Sequence, residues 1–176
     1  MKFERDVSPG DWRDPAKERR LYARARTELG EVVLHRARAR RGGEAQWDGW
    51  EEWTISLEGE EILVLHDMAS PGVAARRRVQ KTVHGSFAGT CMNLSGRHSP
   101  LSSGRSVVFA TETGTIRFRT HRFSAQALSP QGEVVAERRS GDWGGVRAEV
   151  NVVAAVCVFE WGGLDGFLES PLLQFI

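Results

Sequence analysis

Cysteine is scarce in this chain. Cys91 and Cys157 are the only two among 176 residues, too few for a disulfide framework. No cysteine sits in a CxxC pair, and a thiol nucleophile is not expected. Long apolar runs are missing as well. The longest, Val152–Phe159, has eight residues, whereas a membrane span needs about 20. No apolar stretch follows Met1–Asp6, so no secretory leader is expected. The chain is therefore read as cytoplasmic, with both thiols reduced. Excess charge of one sign is also absent: the formal net charge is +1, which gives no whole-molecule pull toward nucleic acid or an anionic membrane.

Recognisable catalytic and cofactor motifs are lacking too. The five histidines, His35, His66, His84, His98 and His121, show no HExxH or Cys/His metal spacing. No GxSxG elbow, phosphate loop or dinucleotide fingerprint occurs. Glu160 and Asp165 flank the end of the apolar run and read as helix-end solvation rather than a catalytic carboxylate pair. No metal or cofactor is expected, and the balance favours a non-catalytic protein.

What the sequence does contain is charge in blocks. Residues 13–41 hold ten Lys/Arg against four Asp/Glu, and residues 44–67 hold eight Asp/Glu and no Lys or Arg. The simplest account is complementarity, with the basic arm lying near the acidic segment in exposed pairs worth about 0–1 kcal/mol each. Arginine outnumbers lysine 21 to 3, and guanidinium forks grip phosphates and carboxylates at two points.

Local patterns predict an N-terminal helix and then many short strands. Asp14 suits an N-cap and Pro15 the first helical position. Leu21, Tyr22, Ala25 and Leu29 fall on one helical face, and Gly30 follows as a stop. Glu31–Arg41 fits a half-buried strand or a continued helix. Trp53–Leu57 alternates and pairs as a hairpin with Glu61–His66. Val73–Val83 reads as an edge strand, and Ser86–Leu94 as strand fragments followed by a loop to Gly104. Further strands are expected over 106–111, 115–119, 123–128 and 133–138, with turns about ten residues apart. That spacing indicates an antiparallel sandwich or barrel.

Val152–Phe159 shows no polar face, so it must be buried all round. As a strand it would be a sheet centre covered on both sides; as a helix it would fill a barrel.

The meander ends on Gly132–Arg139, followed by Gly141-Asp142-Trp143, and then Val146–Val150 leads into Val152–Trp161. This order resembles the tubby C-terminal-like superfamily, including its LURP-one-related and phospholipid-scramblase families. The resemblance implies a closed antiparallel barrel wrapped round a last hydrophobic helix. The family barrel usually has twelve strands, where eight or nine candidates are visible here. Scramblase-like members carry an acidic calcium-binding stretch near that helix and palmitoylated cysteines; neither pattern is present. Tubby-type members bind phosphoinositides through exterior basic residues.

The resulting expectation is a mainly β protein: a barrel of short strands around a buried C-terminal helix over 43–176, preceded by a helix and basic arm over 1–42. Its role is read as a binding or scaffold domain for an anionic lipid headgroup or a protein partner. Arg76, Arg77, Arg78, Arg117, Arg119 and Arg122 are the candidate contacts, converging if their strands are neighbours. Nucleic acid is disfavoured, because few exposed aromatics interleave with the arginines. The alternative is a β-barrel enzyme or carrier with a cavity lined by Trp47, Trp50 and Trp53.

Overall fold

The computed structural model describes residues 1–5, 19–38, 50–121 and 124–169. Twelve strands run antiparallel to their neighbours in strict chain order in one sheet. They are β1 Lys2–Arg5, β2 Arg19–Thr27, β3 Gly30–Arg38, β4 Trp50–Leu57, β5 Glu60–Ala69, β6 Val83–Phe87, β7 Thr90–Arg97, β8 Ser106–Thr111, β9 Gly114–His121, β10 Ser124–Leu128, β11 Val134–Arg139 and β12 Asp142–Gly144. Three short helices accompany them: α1 Val73–Arg78, α2 Val150–Gly162 and α3 Asp165–Leu168. The sheet forms a nearly closed barrel. The Met1 nitrogen, just ahead of β1, donates to the Trp143 carbonyl of β12 at 2.9 Å, so the first and last strands meet at the seam.

Two of the hairpins show why the strands turn where they do. Glu58 and Gly59 have φ of 49° and 85°, and Ala88 and Gly89 have 47° and 79°. Two central residues in the left-handed region make the tight turn whose twist matches that of its flanking strands. Alternation then sorts the side chains. Val32 and Leu34 of β3, Trp53 and Ile55 of β4, and Ile116 and Phe118 of β9 are buried, while Arg117 and Arg119 between and beyond them are exposed.

The N-terminal helix is corrected. Residues Arg19–Thr27 form β2, hydrogen-bonded to β1 on one side and β3 on the other. Ala23 and Ala25 point inward at 0% and 1% exposure, a period of two that the helical spacing of Leu21, Tyr22 and Ala25 had masked. Two ladders of long-range pairing outrank local helix propensity. Asp14 and Pro15 lie outside the described residues, and Gly30 opens β3 instead of stopping a helix. Residues before 43 thus supply three strands of the same sheet as the rest. The expected edge strand over 73–83 is also corrected: Val73–Arg78 is α1, with Ala75 buried.

The apolar segment forms α2, which satisfies its backbone groups within itself. Val152 through Phe159 are each at 0–1% exposure. Phe159 stacks on Phe118 of β9 at 4.3 Å between ring centroids and meets Trp143 of β12 edge-on at 5.8 Å. Trp161 meets Phe3 of β1 edge-on at 5.9 Å. Gly163 ends the helix in the left-handed conformation, its N–H on the Glu160 carbonyl. Phe167 of α3 is fully buried and packs against Gly96, where an added Cβ would fall 2.5 Å from the ring.

Candidate functional site

The five described arginines of the six singled out from sequence do not form one group. Arg76, Arg77 and Arg78 lie on one turn of α1, so they point in three directions rather than to the two faces of a strand. Arg78 serves the fold. Its Nε donates to the Asp67 carbonyl at 2.6 Å, its Nη1 to the carbonyls of Lys81 and Thr82 at 3.2 Å, and its guanidinium lies 4.9 Å over the Trp50 ring. Arg76 packs on α3 so closely that a Cβ on Gly166 would fall 1.9 Å from its Nη1. Arg77 is exposed. In the sheet order β6, β7 and β8 lie between the β5 end that carries α1 and β9. Arg122 lies outside the described residues.

Arg117 and Arg119 do share the exposed face of β9, and the structure adds a third residue. Arg97, at the end of β7, pairs with Ser106 of β8. Val107 pairs with Phe118, so one step along the same register sets Ser106 opposite Arg119. Arg97 and Arg119 therefore flank Ser106 on one face, about 10 Å apart at a strand spacing of about 4.8 Å. Arg117 is two residues further along β9 on that face. All three side chains are exposed, and none has an acidic partner among the described residues. The carboxylate next along the row, Glu137, is already engaged. The Gln126 amide donates to it at 3.0 Å and Arg139 at 2.6 Å, and these bonds hold its carboxyl below the usual range.

Three guanidiniums on the two strands that flank β8 form a surface of fixed donors. Such a surface can bind oxyanions at two points per arginine. Arg97 was not singled out from sequence, because it ends a Gly/Ser-rich stretch. The inward pair Met92 and Leu94, continued through Gly96, is the signal that turns it outward.

Of the three tryptophans expected to line a cavity, two lie among the described residues. Trp53 is fully buried and donates to Glu51 at 3.0 Å; Trp50 lies under Arg78; Trp47 lies outside the described residues. A cleft of about 330 Å³ does exist elsewhere, between the β2–β3 turn and the segment joining β12 to α2, where Trp143, Arg26, Glu28 and Arg147 contribute. Arg147 is held there by Glu133 at 2.6 Å.

Glu160 and Asp165 both contact Arg138, at 3.3 and 2.6 Å, and so form an ion-paired corner between β11 and the two C-terminal helices. Cys157 is fully buried, which pushes its thiol up, and Cys91 is exposed. Among the described residues no group of three or more His, Cys, Asp or Glu is arranged to hold a metal ion, and no helix is long and apolar enough to cross a membrane. Comparison with protein-family models, curated proteins and solved structures returns no match.

Proposed function

We propose that this protein is a non-catalytic binding module, a tubby-like barrel closed around α2, that docks on anionic lipid headgroups through Arg97, Arg117 and Arg119. The observation that carries the reading is the exposed, acid-free arginine triplet on β7 and β9. The family resemblance is supported by twelve antiparallel strands in chain order followed by a hydrophobic helix. Basic residues near an anionic bilayer contribute about 1 kcal/mol each, so three give about 3 kcal/mol, on the order of 100-fold in affinity.

Flotation with vesicles tests this. The protein should float with vesicles containing phosphatidylserine or phosphorylated inositol lipids at low salt, and less at high salt as screening shortens the reach of the arginines. The variant Arg97→Gln/Arg117→Gln/Arg119→Gln should stay in the soluble fraction, whereas Arg77→Gln should float like wild type. No flotation at low salt, or equal flotation of the triple variant, overturns the proposal. Retention by a protein partner without lipid would move the reading to the scaffold class.

A further inference from the structure

A row of polar side chains crosses the outer faces of four consecutive strands: Glu52 of β4, His66 of β5, His84 of β6 and Asn93 of β7. The row follows from register. His84 pairs with Asn93. Leu65 pairs with Gly85, the last pair of the β5–β6 ladder, and with Trp53, beyond which the β4–β5 register shifts. His66 and His84 each stand one residue past the Leu65–Gly85 pair on neighbouring strands, and His66 meets Glu52 directly. Leu65 and Val83 point inward at 0% exposure, which turns His66 and His84 outward, and both are exposed. Just beyond them, Arg78 bridges the Asp67 carbonyl of β5 and the Thr82 carbonyl ahead of β6, tying the two strands together.

Each imidazole is held from the side away from the other. His66 Nδ1 lies 3.2 Å from Glu52 Oε2, and His84 Nδ1 lies 2.7 Å from Asn93 Oδ1. An imidazole whose Nδ1–H donates to an oxygen keeps its lone pair on Nε2. That is the way metal-bound histidines are oriented by their outer partners. Two imidazoles on the outer faces of neighbouring strands can converge on one ion at about 2.0–2.1 Å from each nitrogen.

We propose that His66 and His84 form a two-imidazole site for a late first-row divalent cation, copper(II) most tightly. Glu52 and Asn93 act as the orienting partners, and water completes the coordination. Imidazole ligands favour these ions, and copper(II) binds tightest in the series. The site is independent of the arginine face and stands or falls separately from it.

The experiment is a calorimetric titration of protein without a histidine tag, using copper(II) chloride and nickel(II) chloride in a non-coordinating buffer near neutral pH. Electron paramagnetic resonance is recorded at one equivalent of copper. One copper per chain is expected, with hyperfine coupling to two imidazole nitrogens and weaker binding of nickel. His66→Ala and His84→Ala should each weaken copper binding by at least tenfold, and Glu52→Gln and Asn93→Ala by about tenfold. His98→Ala and Cys91→Ser should bind like wild type. All these positions except Glu52 are exposed, and circular dichroism verifies that each variant is folded. Absence of copper binding overturns the site. So does wild-type affinity in both histidine variants, or a spectrum showing a single imidazole.

Discussion

Arg36 and Glu51 form a two-point ion pair on the buried face of the sheet, with Nε and Nη2 donating to the two carboxylate oxygens at 2.7 and 2.6 Å. Glu51 also accepts from Trp53 Nε1 at 3.0 Å and from Ser70 Oγ at 2.6 Å, and the guanidinium lies 4.5 Å over the Tyr22 ring. Both side chains are under 10% exposed. Breaking such a pair on one side strands a buried charge, which costs about 3–5 kcal/mol, whereas replacing both partners with apolar groups is far milder. Urea unfolding should show Glu51→Leu and Arg36→Met each destabilised by that amount. The double variant should lose less than the sum of the singles, although Trp53 and Ser70 would still lack an acceptor. Additive losses would show that the two residues do not act as a pair.

This pair also shows how far the sequence could be read. The basic block at 13–41 and the acidic block at 44–67 do meet, through Arg36 with Glu51 and Arg19 with Glu61 at 3.2 Å. What composition could not show is that one of these contacts is buried and the other exposed. Period-two alternation was legible wherever a strand is long and mixed, as at Thr115–Arg119. It was illegible in β1 and β12, whose four and three residues are too few to show a period. In β2 the inward residues are alanines, small enough to suit either a helix or a strand. The sites divide in the same way. Arg117 and Arg119 follow from local alternation. Joining them to Arg97, or His66 to His84, requires the register between strands, and no local pattern carries that.

The apolar segment gives a second prediction. Ala155 lies mid-helix in α2 at 1% exposure, while Val150 at its start is 37% exposed. An aspartate at position 155 would be a buried charge with no partner. One at position 150 would sit at the positive end of the helix, where a carboxylate is favoured. Ala155→Asp should therefore show no cooperative unfolding transition, and Val150→Asp should stay within about 0.5 kcal/mol of wild type. A folded, cooperatively melting Ala155→Asp protein would mean that α2 does not sit in a dry interior.

His35 couples stability to pH. It stands on the outer face of β3, opposite Leu21 and Thr54. Burial, and then the charges of Arg19 and Arg24, lower its pKa below the ordinary 6.5. The folded state thus disfavours the imidazolium, and the unfolded chain binds the proton more tightly. The contribution of His35 is fully present above about pH 6.5 and is lost as pH falls through its lowered folded-state value. The urea midpoint of the wild type should drop between about pH 7.5 and 5.5, above the range where carboxylates titrate. His35→Gln cannot take up that proton, so its midpoint should fall less over the same interval. Parallel curves for the two proteins would mean that the histidine is no more costly to charge in the fold than in the open chain.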